Sequence, residues 1–160
     1  MKPSSPKSAS HELLIEATAL AQNGEFDGAI EKLKELIDAH PAHEIALGML
    51  AGIYAQIGMH DRAIEYFQRV LETNPENPLA RLQMGLCQLS SGKPTEALDT
   101  WKPALADPED FLARFHSGLA LLQLKRPAEA HQLLEAAERQ MPKNHALYPQ
   151  LAEILAAFPN

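Results

Sequence analysis

The residues that could do chemistry are few and poorly spaced for it. His-Glu occurs twice, at His11-Glu12 and His43-Glu44. A zinc-peptidase helix needs a second His four residues after the first, so that both imidazoles share one helix face. Those positions hold Ile15 and Leu47. His40 and His43 could present two imidazoles in a loop, but no third ligand accompanies them, and they read as surface histidines. Ser90-Ser91-Gly92 has no nearby base. The glycine signatures of phosphate loops, dinucleotide folds and nucleophile elbows are missing. Cys87, the single cysteine, leaves no internal disulfide and no cysteine-based zinc cage. It reads as a packed free thiol rather than a nucleophile. The expectation is a chain with no catalytic residue, no metal and no cofactor.

The elements that would position a site therefore carry the information. Ala29, Ala63 and Ala97 lie 34 residues apart, and Ala130 follows after 33. Gly24, Gly58 and Gly92 keep the same interval, as do Pro41 and Pro75; Pro108 comes one residue early, and Pro142 follows. Large side chains stand four residues after each alanine, at Leu33, Phe67, Trp101 and Leu134. Small ones stand twelve before it, at Ala17, Ala51, Gly85 and Gly118. Each class has a mechanical reason. A glycine just past an apolar run stops a helix, because it takes the left-handed conformation without strain. Lys125-Arg126 replaces it in the fourth copy, so that turn is expected to close differently. Pro94 and Pro127 fit the first turn of a following helix, where the missing N–H costs nothing. Small residues let two helices cross closely, with Phe67 or Trp101 between them.

The unit is thus a pair of helices repeated at 34 residues, and it resembles the tetratricopeptide repeat, whose pattern runs through Leu, a small residue, Tyr, Ala, Phe and Pro. The second copy matches best, with Leu47, Leu50, Ala51, Tyr54, Gly58, Ala63, Phe67 and Pro75. The repeats fall at about 10–43, 44–77, 78–110 and 111–144. A ninth helix over about 145–157 is placed to cap them. The expected fold is all-α: a right-handed α-solenoid of antiparallel helix pairs, occupying 11–160 behind a disordered tail at 1–10. Two departures stand out. No copy has the Trp that leads the family's pattern: those positions hold Leu13, Leu47, Arg81 and Arg114, and the two arginines should lay their stems over the core with their heads in water. Pro103 should kink or shorten the second helix of repeat three.

The resemblance implies that first helices line a concave, protein-binding side. On them, offsets of three and four mark one stripe. Its candidate partner-binding residues are Leu14 and Thr18 in repeat one, and Ile45, Gly48, Gly52 and Gln56 in repeat two. Repeat three adds Leu79, Leu82, Gln83 and Leu86; repeat four adds Leu112, Phe115, His116, Leu119 and Gln123. The stripe reads as most apolar in the last two repeats, and Gly48 and Gly52 would let a partner backbone approach closely. Leu14, Thr18, Gly48, Gly52 and Leu82 lack the donors with which some family members grip a chaperone's C-terminal carboxylate. An apolar or amphipathic segment suits such a groove. The expected role is a protein-binding adaptor, with small secretion chaperones as an analogy. Alternatively, the stripe is buried core, or it is the homodimer interface of a self-associating scaffold.

Composition bounds the partner. Across 160 residues the net charge is −7. The acidic balance argues against nucleic acid, which needs clustered Lys and Arg. No run reaches the roughly 20 apolar residues of a membrane span. The polar, Pro/Ser-rich start lacks a secretory core, so a cytoplasmic location is expected. Charge is graded along the chain: −5 over 10–43, −3 over 44–77, −2 over 78–110 and +2 over 111–144. A partner with basic and apolar ends would be oriented by that gradient.

Overall fold

Several helices start at a capping side chain or a proline, and the first helix of each pair stops beside a residue turned left-handed. The computed structural model describes residues 6–158, with side chains from residue 9. Nine α-helices occur among them: α1 Pro6–Gln22, α2 Phe26–Ala39, α3 Glu44–Gln56, α4 His60–Thr73, α5 Pro78–Ser90, α6 Pro94–Trp101, α7 Phe111–Gln123, α8 Pro127–Gln140 and α9 Tyr148–Ala156. A short 3₁₀ turn, Ala104–Ala106, follows α6. The starts of α3, α5 and α7 fall on the expected repeat boundaries. The expected tail does not hold over 6–10, where α1 has already begun; Pro6 brings a φ suited to a first helical turn. Residues 1–5 lie outside the described residues.

One turn closes all four pairs. Gly24, Gly58 and Gly92 adopt φ of +78°, +78° and +71°, and Lys125 adopts +57°. Each donates its N–H three residues back, and the next residue reaches five back: Gly58 to Ala55 and Met59 to Tyr54, Lys125 to Leu122 and Arg126 to Leu121. This is the bonding of a glycine-terminated helix, which satisfies the last carbonyls. The fourth turn therefore closes like the other three, contrary to the expectation from its sequence. Lys125 is forced into the glycine conformation instead.

The chain divides into two compact units, 1–80 and 81–160. In the first, α1 packs on α2, α2 on α3 and α3 on α4. Leu33, Leu36, Leu47, Leu50, Phe67 and Val70 are buried there. A ladder of rings and cations ties α3 to α4. Tyr54 and Tyr66 stack at 5.7 Å, Arg62 lies over Tyr54, and Arg69 lies over Tyr66 while donating to the Pro41 carbonyl at 3.0 Å.

In the second unit α6 packs on α7, α7 on α8 and α8 on α9. Phe115, Leu121, Ala130, Leu134, Ala137, Met141 and Leu151 form one cluster. Trp101, Ala97 and Ala120 form another. The small positions are needed here. A Cβ on Gly85 would come within 2.2 Å of the Trp101 ring, and one on Gly118 within 2.7 Å of Leu134.

Pro103 shortens α6 to 8 residues, against 14 in α2, α4 and α8. The break leaves carbonyls without helical partners, and the two unusual arginines serve some of them. Arg114 donates to the carbonyls of Asp107 at 2.6 Å, Asp110 at 2.9 Å and Leu105 at 3.2 Å. Arg81 donates to Thr100 at 3.3 Å. Their heads are therefore bound to backbone rather than left in water, because a guanidinium fork can serve several acceptors at once.

Candidate functional site

The candidate surface begins at the starts of the first helices. His43 Nδ1 accepts the Ala46 N–H at 3.2 Å, Asn77 Oδ1 accepts that of Ala80 at 2.8 Å, and Asp110 Oδ1 accepts that of Ala113 at 2.8 Å. These are side-chain caps at one repeat position. Their spacings of 34 and 33 residues carried a signal that the register of alanines and glycines alone does not display. His43 is thus a cap rather than a free surface histidine.

Asn77 does more than cap. Its Nδ2 donates to Glu44 Oε1 at 2.7 Å, and Asn74 Nδ2 donates to the same oxygen at 2.9 Å. These amide bonds, Asn77 first, hold the Glu44 carboxyl below its ordinary range. They also bring the starts of α3 and α5 together. Ile45 follows Glu44, and Leu79 lies two residues past Asn77. Both are solvent-exposed, at 60% and 64%. They occupy equivalent positions of successive repeats within the first unit.

Along α3 this apolar edge runs into bare backbone. A Cβ placed on Gly48 or Gly52 meets nothing within 4 Å. These two glycines, one turn apart, differ from Gly85 and Gly118 in that no neighbour requires them to be small. Gln56 is exposed just beyond. Leu14 and Thr18 hold in α1 the positions that Gly48 and Gly52 hold in α3. With Ile15, Ala19 and Gln22 they line a shallow hollow of about 320 Å³. The Thr18 hydroxyl is satisfied by the Leu14 carbonyl at 2.7 Å, and it lies 3.9 Å from the Met49 sulfur.

The second unit differs from expectation. Phe115 has no exposed surface and belongs to the core. His116 is wedged beside Trp101 at 5.7 Å and Phe115 at 5.0 Å. Burial drives its pKa down to about 4, and its Nδ1 has no hydrogen-bond partner among the described residues. Neither is available to orient a ligand. Leu86 packs against the Trp101 cluster and Leu119 against the Phe115 cluster. Leu82, Gln83 and Leu112 are half-buried, and Gln123 is exposed. Ile15, Ile45, Ile57, Met59 and Leu79, the most exposed large apolar side chains described, all belong to the first unit, and of these Ile45 of repeat two and Leu79 of repeat three lie on the stripe. Leu86 in α5 and Leu119 in α7 are drawn into the packing around Trp101 and Phe115, whereas α3 places glycines at its stripe positions.

Other chemistry is sparse among the described residues. Cys87 is buried, and that burial raises its thiol pKa, opposite to what a nucleophile needs. No cluster of three or more His, Cys, Asp or Glu could hold a metal ion. No helix is long and apolar enough to cross a membrane.

Two family models, both described as tetratricopeptide repeat, match residues 16–78 and 58–122. Among curated proteins, Small glutamine-rich tetratricopeptide repeat-containing protein 2 of Saccharomyces cerevisiae is 23% identical over 99 residues, covering 62% of this chain and 29% of that protein. Cellulose synthase operon protein C of Pseudomonas fluorescens is 31% identical over 75 residues, covering 47% of this chain and 6% of that protein. The chain thus spans less than a third of the length of either relative. Among solved structures, MamA 41-end from Desulfovibrio magneticus RS-1 superposes with a TM-score of 0.82 at 20% identity, over 92% of this chain and 81% of that one. MamA MSR-1 C2 gives 0.73 at 23% identity, over 91% and 78%. These likenesses show the fold, an all-α solenoid of helix pairs.

Proposed function

The chain belongs to the tetratricopeptide repeat family, and on that premise we propose that it is a protein–protein interaction module, an adaptor or chaperone-like holder of an apolar or amphipathic segment. The observation that carries this reading is the uncovered face of residues 1–80: exposed Ile45 and Leu79 beside the open backbone of Gly48 and Gly52. Exposed apolar side chains grouped on one face favour association, since covering them removes apolar area from water. A groove of this kind takes a helix by its apolar face. The binding set is accordingly centred on Leu14, Thr18, Ile45, Gly48, Gly52, Gln56 and Leu79. Leu82, Gln83, Leu86, Leu112, Leu119 and Gln123 are at most secondary. The setting of this role is the cytoplasm, where an unpaired thiol such as Cys87 stays reduced.

The test is calorimetric titration of the full chain with an uncharged amphipathic peptide. Replacing Ile45 and Leu79 together by Glu should weaken binding at least tenfold with helical content unchanged, because both side chains are already largely in solvent. Unchanged affinity would refute the assignment. Sedimentation of the unliganded chain addresses the competing occupant. A concentration-dependent dimer abolished by the same double change would favour the self-associating scaffold instead.

A further inference from the structure

We propose that the uncovered face of residues 1–80 selects a cationic amphipathic helix, with its apolar side against Ile45, the Gly48–Gly52 backbone and Leu79 and its Lys or Arg residues toward the surrounding carboxylates. The inference rests on the binding reading above and adds the chemistry of the partner. Residues 1–80 hold twelve Asp and Glu against six Lys and Arg, a net charge of −6; residues 81–160 hold nine against eight, a net charge of −1. Three of those six cations are also tied down. Lys32 pairs with Glu16 at 3.0 Å. Arg62 and Arg69 lie over tyrosine rings. Carboxylates border the apolar edge: Glu44 adjoins Ile45, and exposed Glu76 precedes Leu79 by three residues. Glu44 is held ionised by the Asn74 and Asn77 amides. A field of one sign around an apolar strip attracts the opposite sign and rejects its own.

The occupant is a helix for a reason of hydrogen bonding. The middle of α3 has every backbone N–H and C=O engaged within the helix, so an extended peptide would find no ladder to join. A helix brings its own backbone bonds already made. Glycines one turn apart, with open space above them, let its axis come close, because the side chains at the contact set interaxial distance.

The experiment titrates the full chain, by fluorescence anisotropy, with three labelled peptides of about 18 residues, a typical helix length. All share one leucine face; the opposite face is Lys, Gln or Glu. The Lys peptide should bind about tenfold tighter than the Gln peptide and the Glu peptide more weakly still. Raising salt to about 0.3 M should erase most of that difference, since the screening length shrinks to a few ångströms. Gly52→Leu, which fills open space, should weaken the Lys and Gln peptides alike by about tenfold. Equal affinity for the Lys and Glu peptides overturns the charge selection and leaves the groove reading standing. Lys binding indifferent to Gly52→Leu overturns the placement on α3. Failure of all three peptides to bind overturns this inference and the groove reading together.

Discussion

Single residues in this chain have opposite worth at equivalent-looking positions. Gly48 and Gly85 are both helical glycines. Gly48→Ala should raise stability by about 0.5–1 kcal/mol, because it meets open space and gains helix propensity. Gly85→Ala should lower it by about 1–3 kcal/mol, because its new methyl overlaps the Trp101 ring. Urea midpoints check both, and the same sign for the two would refute this division of roles. Lys125 makes the complementary case. It holds a left-handed φ of +57° where three copies use glycine. Lys125→Gly should therefore stabilise the chain by about 1 kcal/mol in the same assay. The need for a left-handed residue at 125 was legible from the repeat spacing, but the identity Lys pointed the other way. Helix closure outweighed the local preference of that one residue. The burial of Phe115 and His116 was not legible, because a stripe position states which way a side chain points and not what lies opposite it.

At the scale of elements, caps set helix starts and one of them also links two repeats. Asn77 caps α5 through its oxygen and holds Glu44 through its nitrogen. Since Glu44 has a lowered pKa in the fold, its contribution is full above the ordinary carboxylate value of 4.5 and fades as pH falls through the lower folded value. Asn77→Asp keeps the capping oxygen but replaces the amide donor with a like charge. That variant should be less stable than the parent at pH 7, and the gap should narrow on acidification as one carboxyl takes a proton. Thermal unfolding across pH 7 to 4 reads this directly; a gap that widened would contradict the bonding described. The shortening of α6 was legible from Pro103. The repair was not: Arg81 and Arg114 read as stems with wet heads, and only the break after Trp101 supplies the carbonyls they bind.

For the molecule as a whole, four repeats were legible because alanine, glycine and proline must recur wherever helices cross, turn and stop. The available face was legible as a stripe, but which of its positions packing covers was not. Leucines suggested the last two repeats; packing draws in Leu86, Phe115 and Leu119 there, and leaves open Leu79 of repeat three along with Ile45, Gly48 and Gly52 of repeat two. The account turns on that location. Amide chemical-shift mapping of the isotope-labelled chain, titrated with the amphipathic Lys-faced peptide, tests it most directly. The account predicts saturable shifts concentrated on the starts of α3 and α5 and along Gly48 to Gln56, with α8 and α9 unmoved. Shifts centred on α7 and α8, or none at saturating peptide, would contradict it.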